Sequence, residues 1–444
     1  MELVLKIFQT ILSVVAILIL YRYVYMAIGF FGKAKKFKEA ETEHKFAVVI
    51  CAKNEEKVIG NLLDSIKAQN YPQDKLHVFV IADNCDDNTA SIAAEKGATV
   101  YERHDAKHAR KGWALEFGFH KIREEFGIDG FEGYCIFDAD NLLHPDYMRE
   151  MNKAFDEGKL DVIQGYRNTK NFDTNWISAS YGLFFYRQSA AYHRPRQILH
   201  TSTNLSGTGY LIRSRALEEG WRWASLTEDT QFTMHLVSSG MKVGYCEAAE
   251  FFDEQPTDLR TTLRQRLRWS KGRIYAFFAY GYKLVAGLFR KKTNKWSCYD
   301  MFFSFFPDGL GTALLAIASF LISFITMAVN GGFSAAVAEY TTVTVLKTAL
   351  IALGIAWGSG MLVSALVAIR ERKKIRCGKA KLVWYIVISP WFDLIGTPLS
   401  VVSLFMHVTW KKIKHVDDKK IEDVISVPAL TEKNAAASEK TESE

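Results

Sequence analysis

The chain has few cysteines and few prolines, and each shortage excludes a class of protein. Its 6 cysteines stand apart, and no two of them form a Cys-x-x-Cys pair. A zinc site or a disulfide framework is therefore not expected. Only 8 of the 444 residues are proline and 49% are hydrophobic, which excludes a disordered or collagen-like chain. The net charge of +7 is modest, and we predict no nucleic-acid partner.

Charged residues are dense between Lys33 and Lys295 and sparse on either side. The first sparse region, Ile7 to Phe31, is long enough at about 1.5 Å per residue to cross about 30 Å of hydrocarbon. A cleaved signal peptide is the alternative, but no small-residue cleavage site precedes the basic run that begins at Lys33. We therefore predict an uncleaved membrane anchor, and the positive-inside rule places the following domain in the cytoplasm.

Three more apolar segments follow, namely Phe302 to Val329, Val343 to Ile369, and Leu382 to Trp410. The loop between the last two is strongly basic, so we expect it in the cytoplasm. The last segment has Pro390 and Gly396 near its centre, residues that can break a membrane helix. It is either a third crossing or a re-entrant segment that returns to the cytoplasm. The chain thus reads as a multi-pass protein of the plasma membrane, with the lipid bilayer as a partner.

These patterns divide the chain into five predicted parts. They are a transmembrane helix (1–32), a cytoplasmic domain (33–258), amphipathic interface helices (259–300), a C-terminal membrane region (301–415) and a disordered tail (416–444). The tail is predicted from its lysine, glutamate, alanine and serine content, which lacks apolar periodicity.

Short apolar runs alternate with helical patterns in the first part of the cytoplasmic domain. The runs are Phe46 to Cys51, His77 to Ala82, Thr99 to Tyr101 and Tyr134 to Phe137. This alternation predicts an α/β domain with a mainly parallel sheet. Ligands of such sheets bind at the carboxyl ends of the strands. Cys51 to Glu55, Asp83 and Asp138 to Asp140 all stand at such ends.

Asp138 and Asp140 flank a single alanine directly after a predicted strand. Two carboxylates this close repel each other unless a cation joins them, and oxygen ligands suit Mg²⁺ or Mn²⁺ bridging phosphate oxygens. The alternative is a pair of helix-capping acids. Asp83 could accept hydrogen bonds from a base or ribose, or it could be an ordinary turn residue.

Three further groups have both a structural and a chemical interpretation. Lys111 stands at a predicted helix start, where a diphosphate would fit, or it belongs to a solvated basic loop. Asp229 could cap a helix, or it could take a proton from an attacking hydroxyl. Arg268 could hold a phosphate and Trp269 could stack on a sugar, or both belong to an amphipathic helix on anionic lipid.

The order of these groups resembles one enzyme family. Along the chain stand Asn54-Glu55, Asp83, Lys111-Gly112, Asp138-Ala-Asp140, Thr227-Glu228-Asp229 and Gln265-x-x-Arg268-Trp269. This series resembles the membrane-embedded family 2 glycosyltransferases, which include cellulose, chitin, hyaluronan and poly-N-acetylglucosamine synthases. The resemblance covers about residues 44 to 275. It implies a GT-A fold, a Rossmann-like α/β domain with a mainly parallel sheet, inserted between transmembrane helices.

The resemblance also implies roles for individual residues. The donor would be bound by Ala52, Asn54, Glu55, Asp83, Lys111, Asp138, Gln265 and Arg268. Mg²⁺ or Mn²⁺ would be held by Asp140, with Asp138 beside it. Asp229, with Glu228 next to it, would be the general base. The acceptor would meet Trp269 and the loop containing Gly207 and Thr208, a loop whose alternative interpretation is a simple turn before a strand.

The implied reaction leaves three hypotheses open. The first is a processive, inverting synthase that uses UDP-glucose or UDP-N-acetylglucosamine to build a β-linked polysaccharide. The second is a transferase that adds one sugar to a lipid-linked acceptor. The Gln-x-x-Arg-Trp motif favours the first hypothesis, because the family that the chain resembles associates this motif with processive members. The small C-terminal membrane region favours the second hypothesis, or a separate export partner for the first. The third is a transporter or receptor with a nucleotide-binding domain. It would not explain the series of Asp-x-Asp, Thr-Glu-Asp and Gln-x-x-Arg-Trp motifs.

Overall fold

We analysed a computed structural model of the chain. It describes residues 2–127, 129–307, 310–311, 321, 325, 335–409, 412–413 and 415–425. Most of the predicted apolar segment from Phe302 to Val329 lies outside the described residues, as does the predicted tail after residue 425.

The described strands form a single eight-stranded sheet in the order β3-β2-β1-β4-β7-β6-β8-β5. Four of its seven pairings are parallel, which confirms the predicted mainly parallel sheet. The strands are β1 Phe46–Ala52, β2 Leu76–Asp83, β3 Thr99–Arg103, β4 Gly133–Asp138, β5 Leu142–Leu143, β6 Val162–Thr169, β7 Tyr210–Arg213 and β8 Val243–Asp253.

Helices pack on both faces of the sheet and extend beyond it. The α-helices before residue 200 are α1 Glu2–Leu18, α2 Tyr21–Phe31, α3 Ile59–Lys67, α4 Thr89–Glu95, α5 Lys111–Phe126, α6 Tyr147–Asp156, α7 Trp176–Gln188 and α8 Arg194–Ile198. The later ones are α9 Glu228–Ser238, α10 Leu259–Gly287, α11 Lys295–Phe305, α12 Ala335–Arg370, α13 Lys379–Leu394, α14 Gly396–Phe405 and α15 Ile421–Val424. A π-helical turn, Ser189–His193, joins α7 to α8, and short 3₁₀ turns span Gln73–Lys75, Ala106–His108 and Ser214–Leu217.

The apolar sequence of β1 explains its central place. Successive strand residues point to opposite faces, and both faces of β1 are buried. Ala47 and Val49 belong to the core beneath α5 and α9, whereas Val48 and Ile50 belong to the core beneath α3 and α6. The parallel register sets Cys51 opposite Asp138, so the carboxyl ends of β1 and β4 meet at one edge of the sheet.

Three stretches among the described residues are long and apolar enough to cross a membrane: Ser13–Phe31, Ala349–Arg370 and Lys379–Phe405. The last stretch is interrupted at Ile395, since α13 ends at Leu394 and α14 starts at Gly396. Its middle is tied to the α/β domain, because Arg187 donates two hydrogen bonds to the Asp393 carboxylate at 2.5 and 2.7 Å. Its start is tied there too, through Lys381 and Asp173 at 3.1 Å.

Residues 415–425 lie against β5 and β8 of the domain, which differs from the solvated tail predicted from residue 416. The Glu254 carboxylate accepts the backbone N–H groups of Val416 and Asp417, each at 3.1 Å. Ile421, Val424 and Ile425 share a buried cluster with residues of β5 and β8. These three apolar residues are too few to form a recognisable periodic pattern, so the sequence did not predict that they are buried.

Candidate active site

A cavity of about 320 Å³ opens at the carboxyl edge of the sheet. The ends of β1, β2, β4, β6 and β8, the start of α9, the first part of α10 and the C-terminal segment all contribute to its wall. The predicted site residues that line it are Ala52, Glu55, Asp83, Lys111, Asp138, Asp140, Gly207, Glu228, Asp229, Gln265, Arg268 and Trp269. Residues from distant parts of the sequence thus meet in one place.

Two predicted site residues, Asn54 and Thr208, lie behind the cavity wall. Asn54 has a φ of 55°, a left-handed conformation that asparagine tolerates, and its Oδ1 accepts the N–H of Asp86 at 2.7 Å. The Thr208 hydroxyl accepts the N–H of Asp138 at 2.9 Å and donates to Asn141 at 2.6 Å. Both therefore shape the loops that carry the lining residues.

Lys111 links the first aspartate of the Asp-Ala-Asp motif to the loop before β7. Its Nζ donates to Oδ1 of Asp138, and to the carbonyl of Gly207 at 2.7 Å. Lys111 is brought there by the close packing of its neighbour, since a Cβ on Gly112 would stand 2.2 Å from the carbonyl oxygen of Trp223. Only glycine permits that approach.

Asp83 is paired with a residue that the sequence analysis missed. Arg103 stands opposite Asp83 in the β2–β3 register, and its guanidinium donates to Asp83 Oδ1 at 2.6 Å. Burial raises the pKa of Asp83, and Arg103 opposes that shift. The carboxylate therefore reaches the cavity as half of an ion pair. The two residues are 20 positions apart, and only the register of β2 against β3 shows that they pair.

Asp140 is the carboxylate best placed to hold a divalent ion. It is 5% exposed and lines the cavity, and its Oδ2 accepts the Glu254 N–H at 3.0 Å. Burial opposes ionisation, but His415, Lys170 and that hydrogen bond outweigh it and lower the pKa of Asp140. No group of three or more His, Cys, Asp or Glu side chains in the described ranges could hold an ion by itself. Mg²⁺ and Mn²⁺ fit nonetheless, since they commonly bind one or two carboxylates together with substrate phosphates.

Glu228 and Asp229 form an acidic pair in the first turn of α9. Burial and the charge of Asp229 raise the pKa of Glu228 to about 7. Burial also raises the pKa of Asp229, although a hydrogen bond from the Thr230 N–H at 2.7 Å opposes the shift. Gly207 lies alongside, because a Cβ there would be 3.6 Å from Asp229 Oδ2. Such a pair can exchange a proton with a bound hydroxyl near neutral pH.

Helix α10 supplies the opposite wall. The Tyr181 hydroxyl donates to Gln265 Oε1 at 2.6 Å, and Arg268 donates to the carbonyl of Leu226 at 2.7 Å, just before the acidic pair. The Trp269 ring is stacked near Phe184 at 6.4 Å and shares an aromatic cluster with α7 and Phe392 of α13. The predicted Gln-x-x-Arg-Trp motif thus joins the acidic pair to the apolar C-terminal segment.

Several lining residues escaped the sequence analysis. Arg167 and Asp253 form an ion pair at 2.7 Å between the ends of β6 and β8, and Lys412 donates to the carbonyl of Asn54. His415 contacts Glu55 at 3.1 Å. Burial lowers the pKa of His415, but attraction to Asp140 and the hydrogen bond to Glu55 raise it to about 9. Lys412 and His415 follow the last apolar segment, in a lysine-rich run that has no motif of its own.

Comparison with known proteins identifies relatives that are named as enzymes of sugar transfer. The chain is 27% identical over 322 residues to the probable glycosyltransferase YdaM of Bacillus subtilis, covering 66% of this chain and 71% of that protein. It is 24% identical to the beta-monoglucosyldiacylglycerol synthase of Synechocystis, covering 52% and 48%. It is also 24% identical to the probable glucomannan 4-beta-mannosyltransferase 3 of Oryza sativa, covering 57% and 47%. The chain therefore spans about half of the last two relatives.

One solved structure supports the fold assignment. The mannosyltransferase PcManGT of Pyrobaculum calidifontis, in complex with GDP-Man and Mn²⁺, superposes with a TM-score of 0.54 and 14% identity. The match covers 90% of this chain and 98% of that one, and it confirms the predicted GT-A fold. The sequence profile described as Glycosyltransferase like family 2 matches residues 44–272, just over half of the chain. The chain therefore belongs to glycosyltransferase family 2 and is an enzyme of that class.

Proposed function

We propose that this glycosyltransferase moves a sugar from UDP-glucose or UDP-N-acetylglucosamine to an acceptor hydroxyl, inverts the anomeric centre, and so builds a β-linked polysaccharide at the cytoplasmic face of the membrane. The observation that carries the proposal is the shared cavity of Asp229, Asp138 and Asp140. A base and a diphosphate site are the two parts that one direct displacement needs, and the sheet edge brings them together.

The acceptor side of the reaction is assigned to Asp229. Its carboxylate takes the proton of the acceptor hydroxyl as that oxygen attacks the anomeric carbon. The bond from this carbon to the diphosphate breaks in the same displacement, which converts an α linkage into a β linkage. Burial raises the pKa of both carboxyls of the pair, and Trp269 offers an apolar face to the acceptor sugar.

The donor side is assigned to the strand ends. Ala52, Asp83 and the Lys111–Asp138 pair face the nucleotide sugar, while Arg268 offers a guanidinium to the phosphates. Asp140 and Asp138 would hold Mg²⁺ or Mn²⁺, which, when bound, neutralises charge on the departing diphosphate. The Mn²⁺ that accompanies GDP-Man in the Pyrobaculum neighbour is consistent with this choice of ion.

A re-entrant course for the last apolar segment supports a cytoplasmic site. Lys381, near its start, pairs with Asp173, and Lys412, after its end, contacts Asn54. Both ends therefore meet the same α/β domain. We infer that the segment enters and leaves the membrane on one side, which keeps the basic residues after it in the cytoplasm.

The second candidate function is the transfer of one sugar to a lipid-linked acceptor. Two observations favour it: the named activity of the Synechocystis relative, and the contact of Trp269 with the cluster that includes Phe392 of an apolar helix. A lipid acceptor could reach Trp269 from the bilayer along this helix. Export of a polymer, by contrast, would call for a partner protein.

One experiment separates the candidates. Membranes that contain the chain are given radiolabelled UDP-sugars with Mg²⁺ or Mn²⁺, and membranes with Asp229→Asn serve as the control. We expect high-molecular-weight labelled material from one donor. A small, solvent-extractable labelled lipid would establish the second candidate instead. No labelled product from any donor would overturn the proposed function.

A further inference from the structure

The last apolar segment is interrupted at Ile395, between the end of α13 at Leu394 and the start of α14 at Gly396. A helix that ends leaves its last four carbonyl groups without partners inside the helix, and Phe392 is one of the last three residues of α13. In an apolar segment such a group needs a donor from elsewhere in the protein. Arg266 of α10 is that donor, because its guanidinium donates a hydrogen bond to the carbonyl oxygen of Phe392.

The same guanidinium makes two further contacts at the interruption. Its central carbon, Cζ, lies 4.0 Å from the centre of the Phe392 ring, which is a cation–π distance. Gly396 leaves the space that the guanidinium occupies, since a Cβ at this position would stand 2.6 Å from Nη2 of Arg266. Arg266 therefore holds both the main chain and the ring of Phe392.

Phe392 in turn supports the wall of the cavity that α10 provides. Its ring packs edge-on against Tyr181 of α7, with the ring centres 4.7 Å apart. Tyr181 is fully buried, and its hydroxyl donates to Gln265 Oε1 at 2.6 Å. Trp269 packs against the same buried cluster, with its ring centre 6.0 Å from that of Tyr181. A chain of direct contacts therefore connects the interruption to two residues that line the cavity.

We propose that Arg266 is a positioning residue for sugar transfer. By holding the interruption of the last apolar segment against Tyr181, it fixes Gln265 and Trp269 in the cavity wall. The described residues that line the cavity include Gln265 and Trp269 but not Arg266, so Arg266 acts through its neighbours and not on the substrate itself. The inference rests on the proposed function, because that function places the acceptor sugar at Trp269. It gives the last apolar segment a part in ordering the active site.

The first test follows the Trp269 ring in the full chain, in nanodiscs and without substrate. Labelling with 5-fluorotryptophan gives a ¹⁹F resonance for each of the 10 tryptophans, and Trp269→Phe identifies the one from Trp269. We expect this resonance to shift in Arg266→Ala, and also in Gly396→Ala, where the added Cβ displaces the guanidinium. It should not shift in the control Gly378→Ala, since a Cβ at Gly378, just before α13, meets nothing within 4 Å.

The second test measures sugar transfer, donor hydrolysis and UDP affinity in the same variants. Arg266→Ala and Gly396→Ala should each slow transfer by about tenfold, because a displaced Trp269 no longer aligns the acceptor. Donor hydrolysis and UDP affinity should change by less than about twofold, since most of the proposed donor contacts lie on the strand ends. Arg266→Lys keeps a donor near the Phe392 carbonyl and should recover part of the transfer.

Two results would contradict the inference. One is a Trp269 resonance that is unchanged in both Arg266→Ala and Gly396→Ala. The other is an equal loss of transfer, hydrolysis and UDP affinity, which would mean that Arg266 only stabilises the fold. If Arg266→Ala does not fold, Gly396→Ala carries both tests with the natural arginine in place. The resonance is read without substrate, so its result is independent of whether the proposed function is correct.

Discussion

Asp229 has the surroundings of a general base, with burial on one side and a second carboxyl beside it. We expect Asp229→Asn to lower the rate of sugar transfer at least ~100-fold, because an amide cannot take the proton of an attacking hydroxyl. The affinity for UDP should change by less than about twofold, since only the proton acceptor is lost. Initial rates with labelled donor and equilibrium UDP binding measure the two effects.

A matched control for this substitution is Asp74→Asn, which changes an exposed carboxyl far from the cavity. Its rate and UDP affinity should equal those of the natural protein. If Asp229→Asn instead weakened UDP binding as much as it slowed transfer, Asp229 would be assigned to holding the donor pocket together.

The acidic pair also predicts how activity depends on pH. The pKa of Glu228 is raised to about 7 by burial and by Asp229. The deprotonated pair predominates above that pH, so the rate of sugar transfer should reach a plateau there. Below that pH the rate should fall, with a slope that approaches tenfold per pH unit. Glu228→Gln removes one negative charge, which should move the acid limb to lower pH. Initial rates between about pH 5.5 and 8.5 test this, and a flat profile would contradict it.

Some residues of the site could be predicted from local sequence, and others could not. Asp83, Asp138 and Asp140 follow apolar runs, and parallel strands bring such ends to one edge, so their meeting was predictable. Arg103 and His415 reach the site through strand register and the return of a distant segment. Neither follows from local sequence, because both depend on contacts between residues far apart in the chain.

At the scale of the element, α10 carries both a site wall and a packing surface. We expect Trp269→Ala to slow transfer to the acceptor by about tenfold while donor hydrolysis falls much less. The reason is that the indole face would hold the acceptor sugar, whereas most of the proposed donor contacts lie on the strand ends. Product analysis by chromatography separates transferred from hydrolysed sugar.

Trp269→Phe is the companion variant, because it keeps an aromatic ring in the cluster with Tyr181 and Phe184. It should retain most of the stability and part of the transfer. Equal loss of transfer and hydrolysis in Trp269→Ala would mean that the partly buried ring mainly packs the α7–α10 contact.

At the scale of the whole molecule, the Arg187–Asp393 ion pair fastens an apolar helix to the α/β domain. Both side chains are partly exposed and the pair is bidentate. We expect Arg187→Ala and Asp393→Ala each to lower the free energy of unfolding by about 1 kcal/mol. The double variant should lose about the same amount, since either change already breaks the pair. Unfolding in detergent measures all three.

The surface pair of Lys121 and Glu124, at 3.0 Å, provides the control. Lys121→Ala should change stability by less than about 0.5 kcal/mol, because exposed pairs contribute little. If the losses from Arg187→Ala and Asp393→Ala simply add in the double variant, the two side chains do not stabilise each other and the helix is held by apolar packing.

Local sequence was enough to predict the α/β plan, the strand ends that carry acids, and the segments apolar enough to enter a membrane. These follow from local periodicity, which the covalent order of residues controls directly. Three contacts could be found only in the folded chain: Arg103 pairs with Asp83, the last apolar segment contacts the domain through Asp393 and Lys381, and His415 lies near Asp140. Each of these contacts depends on packing or strand register between residues far apart in the chain. No short stretch of sequence specifies either of them.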